Sequence, residues 1–417
     1  MIWHPFTPQL GAGDPLEIQR GDREYLYDVA GNEYIDAIAS WWTVIHGHNH
    51  PQIVAAITEQ LKKLDHAMLG GFTHEPALRL AERLLALTQG DFAKVFYSDN
   101  GSTAVEVMLK LAAQYWHNSG QKQKTRFIRF DAAYHGDTIG SMSVGGDSVF
   151  NRVFSALLFD AKSFAYRAEA LHELDVYLAG NHETVAGIIL EPLIAAAGGM
   201  VFQSEEVLRG IAALARKHGV LLLLDEVFTG MGRTGQMFAY QKAGIKPDLV
   251  ALAKGLTGGV LPLAATLVTK EIHAAFVSED PLKTFYHGHT MTGNPPGCAA
   301  ALASLAIFDA EDTLARVRRL EINMRGYWQN LAQRYGDKLA DIRCLGAVSA
   351  ADLVVRGEKA GYTFSKVREL KAQALAEGVI LRPLGNVIYV TPPYNISDVG
   401  LEKVFSAIAK ILENYAI

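Results

Sequence analysis

The chain has 417 residues, of which 49% are apolar and 20% charged, and its formal net charge at pH 7 is −5. Nucleic acids and anionic membranes attract clustered Lys and Arg, so the acidic balance and the lack of like-charge blocks argue against both partners. Two cysteines argue against a disulfide framework, and neither a signal peptide nor a membrane-length apolar run is visible. We therefore expect a cytoplasmic protein with two or three domains.

The first part of the chain predicts a small β-structure. Tyr25–Asp28 and Glu33–Asp36 flank Gly31-Asn32, and this arrangement is typical of a β-hairpin. We assign residues 1–50 to the N-terminal segment of a small domain.

Residues 51–304 alternate strand-like and helix-like segments. Repeated strand–helix–strand units predict an α/β domain with a mostly parallel sheet. One helix should be capped by Ser102 or Thr103, because Glu106 stands at capping-box spacing from Thr103. A second helix is expected over Ser204–His218. The predicted strands are Val95–Tyr97, Arg126–Phe130, Val185–Leu190, Val220–Leu224 and Leu249–Ala253.

Residues 305–417 have a different pattern. Long helical stretches are predicted over Thr313–Tyr335 and Thr363–Glu377, and short strands near Ala347–Val354 and Val387–Val390. We expect a smaller α+β domain here, which the N-terminal segment joins.

Polar groups follow predicted strands of the large domain at the points where the strands end. Because ligands of a parallel α/β sheet bind beyond the carboxyl ends of its strands, we expect these groups to converge on one site. They are Gly101-Ser102, Tyr134-His135-Gly136, Glu191, Asp225 and Lys254.

Several of these groups suit one chemistry. Asp225, desolvated at the end of an apolar strand, needs a cationic partner such as a protonated pyridine nitrogen. Lys254 can form a Schiff base if burial lowers its pKa. Gly101-Ser102 opens a helix and suits a phosphate, to which Thr290 can add a second donor. Taken singly, each also fits an ordinary role as a loop carboxylate, a surface lysine or a plain helix cap.

Two other motifs point to different chemistry. Gly230 to Gly235 matches the dinucleotide fingerprint G-x-G-x-x-G, but it does not sit directly at a strand-to-helix turn. His46-Gly47-His48-Asn49-His50 places alternate histidines on one face, but no Cys or carboxylate cluster stands nearby. We expect neither a nicotinamide or flavin cofactor nor a metal.

Three motifs of the large domain belong together: Leu224-Asp225-Glu226-Val227, Gly232-Arg233-Thr234-Gly235 and Lys254-Gly255-Leu256-Thr257-Gly258-Gly259. They resemble the class III aminotransferases of pyridoxal-phosphate fold type I. The resemblance implies a large domain with a mostly parallel sheet and a smaller α+β domain built from the N- and C-terminal segments. It also implies pyridoxal 5′-phosphate as the cofactor and a homodimer as the active unit.

Further motifs carry a narrower resemblance: Trp3-His4-Pro5-Phe6-Thr7, Ser40-Trp41-Trp42, His46-Gly47, Gly70-Gly71, Tyr134-His135-Gly136-Asp137-Thr138, His287-Gly288, Gly293-Asn294-Pro295 and Arg382-Pro383. They are similar to members that make 7,8-diaminononanoate in biotin synthesis, moving an amino group from S-adenosylmethionine to 8-amino-7-oxononanoate. Two positions depart from the family, which often has Tyr in place of Phe6 and Pro in place of His289. Lysine as the donor, another ω-amino acid aminotransferase and a non-catalytic module on the same fold stay open as alternatives.

The resemblance also implies residue roles. Lys254 would carry the cofactor and shuttle the proton, and Asp225 would pair with the ring nitrogen. Tyr134 would stack on the ring opposite Val227, and Glu191 would belong to the cofactor's surroundings. The implied cofactor-binding residues are Gly101, Ser102, Tyr134, Asp225, Val227, Lys254, His289 and Thr290, the last from the partner subunit. The implied substrate-binding residues are Phe6, Trp41, Trp42, Tyr134, Lys254, Gly288, Tyr389 and Arg382, with Arg382 binding the substrate carboxylate.

Overall fold

The computed structural model describes residues 2–10, 13–356 and 360–416. Its helices are α1 (Ala39–Trp42), α2 (Pro51–Lys63), α3 (Glu75–Leu87), α4 (Gly101–Asn118), α5 (Ile139–Ser143), α6 (Leu171–Asn181), α7 (Glu205–His218), α8 (Ala239–Ala243), α9 (Lys270–Ala274), α10 (Pro295–Ala310), α11 (Thr313–Tyr335), α12 (Val367–Ala376) and α13 (Asp398–Asn414). Its strands are β1 (Ile18–Asp22), β2 (Tyr25–Asp28), β3 (Glu33–Asp36), β4 (Lys94–Ser98), β5 (Arg126–Phe130), β6 (Ala161–Phe164), β7 (Val185–Leu190), β8 (Ile194–Ala195), β9 (Val201–Phe202), β10 (Leu221–Asp225), β11 (Leu249–Leu252), β12 (Ala264–Val268), β13 (Leu339–Leu345), β14 (Val348–Leu353), β15 (Val379–Ile380) and β16 (Val387–Val390).

The largest sheet has seven strands in the order β4-β12-β11-β10-β7-β5-β6. Strand β12 runs antiparallel to both of its neighbours, while the other pairings in the sheet are parallel. The predicted, mostly parallel α/β sheet is therefore confirmed, and the edge strand β6 and the reversed strand β12 were not predicted from the sequence. Because β4 keeps the direction of the parallel strands, the carboxyl ends of β4, β5, β7, β10 and β11 meet at one edge.

Strand β10 shows why this sheet consists of apolar runs. Leu222 and Leu224 pack into one apolar core, while Leu221 and Leu223 pack into a second core on the opposite face. A strand that is buried on both faces has no position for a solvent-facing polar residue. Among the described residues, no helix is both long and apolar enough to cross a membrane.

Helix α4 begins differently from the prediction. Asn100 is the N-cap residue: its side chain accepts the backbone N–H of Thr103, and the Thr103 hydroxyl accepts the backbone N–H of Asn100. The predicted caps, Ser102 and Thr103, were therefore wrong, although a capping box is present. Glu106 instead accepts the backbone N–H of Gly140 at 2.8 Å. Leaving Ser102 free of the cap makes its hydroxyl available to the adjoining cavity.

Other predicted elements lie close to their expected positions. Helix α7 follows its N-cap Ser204 and ends at Gly219, which has a φ of 59°. Helix α11 covers Thr313–Tyr335 as predicted, whereas α12 begins at Val367 rather than at Thr363.

The two ends of the chain meet in a four-stranded sheet of order β1-β2-β3-β15. Strands β2 and β3 form the predicted hairpin, and Val379 of β15 pairs in parallel with Ile35 of β3. A separate three-stranded sheet has the order β13-β14-β16. The pairing joins N- and C-terminal segments, while the boundaries at residues 50 and 304 stay a prediction.

The segment Ala39–Trp42 forms a left-handed helical turn. Its φ angles are 47°, 45°, 63° and 77°, and the backbone N–H of Trp42 bonds the Ile38 carbonyl at 2.8 Å. Left-handed turns cost L-residues about 1–2 kcal/mol each. The buried Asp36 carboxylate holds the turn, because it accepts the Ser40 N–H at 2.6 Å and the Ser40 hydroxyl at 2.8 Å.

Candidate active site

A cavity of about 440 Å³ lies at the carboxyl edge of the seven-stranded sheet. This volume lies in the range of small-molecule sites. All five groups that were expected to converge contribute to its wall, together with one of the paired tryptophans. The predicted residues that line it are Trp42, Gly101, Ser102, Tyr134, Glu191, Asp225, Val227 and Lys254.

Lys254 follows β11 directly and reaches the cavity with its amine. The ammonium nitrogen lies 5.2 Å from the centre of the Trp42 ring. Burial lowers the pKa of Lys254, while the carboxylates of Asp225 and Glu191 act in the opposite direction. A lysine with a lowered pKa is unprotonated more often than a surface lysine, and it is therefore a better nucleophile and base.

Asp225 ends β10 and is buried. One carboxylate oxygen lies 2.7 Å from Nδ1 of His135, and the other accepts the backbone N–H of Val227 at 3.0 Å. The Nε2 atom of His135 is buried and has no hydrogen-bond partner among the described residues. His135 therefore fixes the orientation of the carboxylate. The position of His135 beside Tyr134, in the segment after β5, is the one feature of the sequence that indicated its place in the site.

The start of α4 forms a close-packed cradle. A Cβ atom on Gly101 would lie 2.7 Å from a methyl carbon of Val227, and one on Gly136 would lie 2.0 Å from the Ser102 hydroxyl. The Ser102 hydroxyl accepts the backbone N–H of Asp137 at 3.2 Å. Glycine at both positions thus leaves the amino end of α4, which carries the positive end of the helix dipole, open to an anion.

Glu191 is buried behind Tyr134. Its carboxylate accepts the backbone N–H groups of Tyr134 and Ala196, each at 3.1 Å. Burial, reinforced by the negative charge of Asp225, raises the pKa of Glu191 to about 7. The Tyr134 hydroxyl donates to Asp137 at 2.9 Å, and burial raises the pKa of Tyr134. Glu191 therefore holds the backbone of the residue that was predicted to stack on the ring.

Four predicted substrate residues lie beside this cavity rather than in its wall. The Arg382 guanidinium lies 4.1 Å above the Trp41 ring, and the Phe6 ring meets Trp41 edge-on at 5.3 Å. Tyr389 is buried, and its ring centre lies 6.0 Å from that of Trp42. The structure therefore brings Phe6, Trp41 and Arg382 into one chain of contacts next to the cavity.

Gly288, His289 and Thr290 lie in an exposed loop and do not line the cavity of their own chain. The Nε2 atom of His289 lies 3.9 Å from a carboxylate oxygen of Asp99, which does line the cavity. The loop thus approaches the amino end of α4 without entering the site.

A sequence-family model described as "Aminotransferase class-III" matches residues 11–412. The chain belongs to the class III aminotransferases. Curated relatives extend this match over almost the full length. An adenosylmethionine-8-amino-7-oxononanoate aminotransferase from Synechococcus elongatus is 44% identical, covering 99% of this chain and 98% of that protein. One from Geobacter sulfurreducens is 41% identical, covering 95% and 92%.

Solved structures of other class III aminotransferases have the same fold. The crystal structure of adenosylmethionine-8-amino-7-oxononanoate aminotransferase from Methanocaldococcus jannaschii superposes with a TM-score of 0.94 at 36% identity, covering 100% of this chain and 97% of that one. An amine transaminase from an uncultivated Pseudomonas species, solved with pyridoxal 5′-phosphate bound, gives a TM-score of 0.94 at 32% identity, covering 100% and 99%. The resemblance to fold type I is thereby confirmed.

Class III aminotransferases depend on pyridoxal 5′-phosphate, and the residues of this cavity fit that cofactor. The amino end of α4 beside Ser102 suits the phosphate, and the fixed carboxylate of Asp225 suits a protonated ring nitrogen. Lys254 offers a partly desolvated amine to the same space.

The alternate histidines of the segment His46–His50 do not share one partner in this class III aminotransferase. His46 bonds the Ser304 hydroxyl at 3.0 Å, His48 bonds Asp36 and His50 bonds Glu311, so the three rings have separate partners. The part of the chain that the structure describes contains no group of three potential metal ligands.

Proposed function

We propose that this chain converts 8-amino-7-oxononanoate into 7,8-diaminononanoate, with pyridoxal 5′-phosphate as cofactor and S-adenosylmethionine as amino donor. One observation carries the proposal: Lys254, the His135–Asp225 pair and the amino end of α4 border one cavity beside Trp42. The names of the relatives from S. elongatus and G. sulfurreducens support the choice of substrates.

The cofactor needs a fixed charge at each end. When bound, pyridoxal 5′-phosphate supplies a ring that takes up the negative charge left when a proton leaves the amino-bearing carbon. Asp225 keeps the ring nitrogen protonated, and His135 prevents the carboxylate from turning away. Gly101 and Ser102 bind the phosphate at the helix start.

Lys254 is the base of the reaction. Burial lowers its pKa, so its amine accepts the substrate proton and returns it without leaving the cavity. Tyr134 and Val227 would flank the cofactor ring when it is bound, and Glu191 holds the backbone of Tyr134. These contacts keep the proton's donor and acceptor atoms in fixed positions.

We infer that the active unit is a homodimer in which Thr290 of the partner subunit completes the phosphate site. Two observations support this inference. Thr290 is exposed and does not line the cavity of its own chain, and the exposed apolar side chains Met68, Phe72 and Met291 require cover.

Arg382 binds the carboxylate of 8-amino-7-oxononanoate, and the rings of Trp41 and Phe6 contact its aliphatic chain. A guanidinium suits a carboxylate because it forms two parallel charge-assisted hydrogen bonds. Stacking on Trp41 holds the fork of Arg382 in one orientation before substrate arrives.

S-adenosylmethionine is the proposed donor because aromatic rings suit its adenine and its sulfonium cation. Phe6 lacks the hydroxyl that a tyrosine would offer, a loss worth roughly 0.5–1.5 kcal/mol. That loss weakens adenosyl binding without preventing it, and lysine stays the alternative donor.

The test follows each half-reaction separately. The enzyme loaded with pyridoxal 5′-phosphate is mixed with S-adenosylmethionine, lysine or γ-aminobutyrate, and loss of the yellow absorbance is recorded. We expect S-adenosylmethionine to bleach the colour, and 8-amino-7-oxononanoate to restore it with formation of 7,8-diaminononanoate. If lysine bleached the colour and S-adenosylmethionine did not, lysine would be the donor. If 8-amino-7-oxononanoate failed to restore the colour, the proposed acceptor would be wrong.

A further inference from the structure

A second cavity of about 480 Å³ adjoins the candidate active site. Tyr134 and Ala197 border both cavities. The second cavity, which we name the side chamber, is lined by Phe150, Tyr362 and the carboxylates described below. None of the roles assigned so far to Lys254 or Asp225 uses this space, although it begins at the ring that encloses the cofactor.

Phe150 occupies the border between the two cavities. Its ring centre lies 5.8 Å from that of Tyr134 and 4.6 Å from that of Tyr362, both edge-on. It also meets Phe6 of the N-terminal segment at 5.7 Å. The half-buried Phe150 thus contacts both Tyr134, in the active-site wall, and Tyr362, which lines the chamber.

The chamber also carries more negative than positive side chains. Among the described lining residues, Asp131, Asp147 and Asp352 stand against Arg152. Asp147 pairs with Arg129 and Asp352 with Arg343, neither of which lines the chamber. Asp131 accepts the backbone N–H of Tyr166 and has no ion-pair partner among the described residues. An aromatic face with a carboxylate nearby attracts cations.

We propose that the side chamber holds the cationic tail of the amino donor, and that Phe150 is the residue that determines donor specificity there. The inference rests on the proposed function. Both candidate donors carry a positive charge beyond the α-carbon, as a sulfonium in S-adenosylmethionine and as an ammonium in lysine. The far end of 8-amino-7-oxononanoate is a carboxylate, for which Arg382, outside the chamber, is the proposed partner.

The experiment compares Phe150→Leu with Phe154→Leu, a matched change in a nearby exposed phenylalanine outside the chamber. Asp131→Asn removes the charge and keeps an acceptor for the Tyr166 N–H. Calorimetry on each holoenzyme measures binding of S-adenosylmethionine against S-adenosylhomocysteine, its thioether counterpart, which lacks the sulfonium charge. The same titration is run with lysine against norleucine, which lacks the ammonium. Half-reactions give KM and kcat for each donor and for 8-amino-7-oxononanoate.

We expect Phe150→Leu to weaken binding of the donor that the enzyme uses by roughly 5- to 30-fold, which corresponds to the loss of a desolvated cation–π contact. Its KM for 8-amino-7-oxononanoate should not change, and Phe154→Leu should change neither value. Asp131→Asn should reduce the ratio of affinities between each donor and the analogue that lacks its sulfonium or side-chain ammonium. If Phe150→Leu weakened donor and acceptor binding equally, or left donor binding unchanged, the chamber assignment would be wrong and the proposed function would stand. A wild-type enzyme that reacts with neither donor would refute both.

Discussion

The two sides of the candidate active site are built in different ways. On the sheet side, Asp225 ends β10 and Lys254 follows the neighbouring strand β11, and hydrogen bonds fix the Asp225 carboxylate. On the opposite side, Phe6, Trp41 and Arg382 come from distant parts of the chain and meet through ring contacts. In the proposed function, the sheet positions the reacting groups, while the ring contacts form the surface that distinguishes one substrate from another.

This difference has a consequence for mutations. Removing a group on the sheet side should affect every substrate and act mainly on kcat, because that group serves the common chemistry. Removing a ring or the guanidinium on the other side should act mainly on KM, and for one substrate more than another. The predictions below test that division.

Lys254→Ala should have the largest effect. Its amine is both the proposed attachment point and the base, so kcat should fall by roughly 10²–10⁴-fold for any donor. Borohydride reduction of the wild-type holoenzyme should leave the cofactor mass on the peptide that contains Lys254. Lys270→Ala, at an exposed position, is the control. A cofactor mass on another peptide would contradict the assignment.

Asp225→Asn should come next. The amide is uncharged and cannot keep the ring nitrogen protonated, so kcat should fall by roughly 10²–10³-fold while the acceptor KM stays near its normal value. Circular dichroism should show that the variant is folded, and equilibrium dialysis should show that it retains cofactor. Near-normal turnover would remove Asp225 from the proposed mechanism.

Arg382→Ala should act on the other side of the site. Loss of a charge-assisted bidentate pair should cost roughly 2–4 kcal/mol in apparent binding of 8-amino-7-oxononanoate. Steady-state kinetics should show a raised acceptor KM. Arg368→Ala on α12 serves as the control, because that arginine is exposed. An unchanged acceptor KM in Arg382→Ala would exclude the carboxylate contact.

The smallest effect concerns stability and pH. Burial lowers the pKa of His46 from 6.5 to about 3. As pH falls below about 6.5, the unfolded chain takes up this proton and the folded chain does not, so stability falls by about 1.4 kcal/mol per pH unit. In His46→Gln the free energy of unfolding should fall less steeply between pH 6 and 4, by about 1.4 kcal/mol per pH unit, because one titrating proton is removed. Urea unfolding at several pH values measures it, with exposed His172→Gln as the control; equal slopes in wild type and His46→Gln would argue against a neutral buried ring.

How much the sequence could predict depended on whether a contact is local. Strand β10 and the residue that ends it were predictable. A short apolar run indicates a buried strand, and the carboxylate of Asp225 indicates where the run ends. The reversed direction of β12 was not predictable, because the same apolar pattern suits either direction. The cap of α4 was placed too late since Asn100 and Thr103 both have capping side chains, and only backbone angles decide between them.

Contacts between distant segments were the least predictable. His135 and Asp225 were both expected at one site, but nothing in the sequence around either residue indicates that they pair across 90 positions. Phe150 was overlooked entirely, because a single phenylalanine in a loop has no pattern around it. Its importance appears once Tyr134, Tyr362 and Phe6 are seen around one ring.

The left-handed turn at Ala39–Trp42 has a consequence for the chirality of the site. A right-handed turn of the same four residues would project the side chains along different directions. In the observed turn Trp42 faces Lys254, while the neighbouring Trp41 carries the guanidinium of Arg382. Two adjacent tryptophans thereby contact two different cationic residues. A turn of the opposite hand, with no change of amino acid, would change which indole faces Lys254.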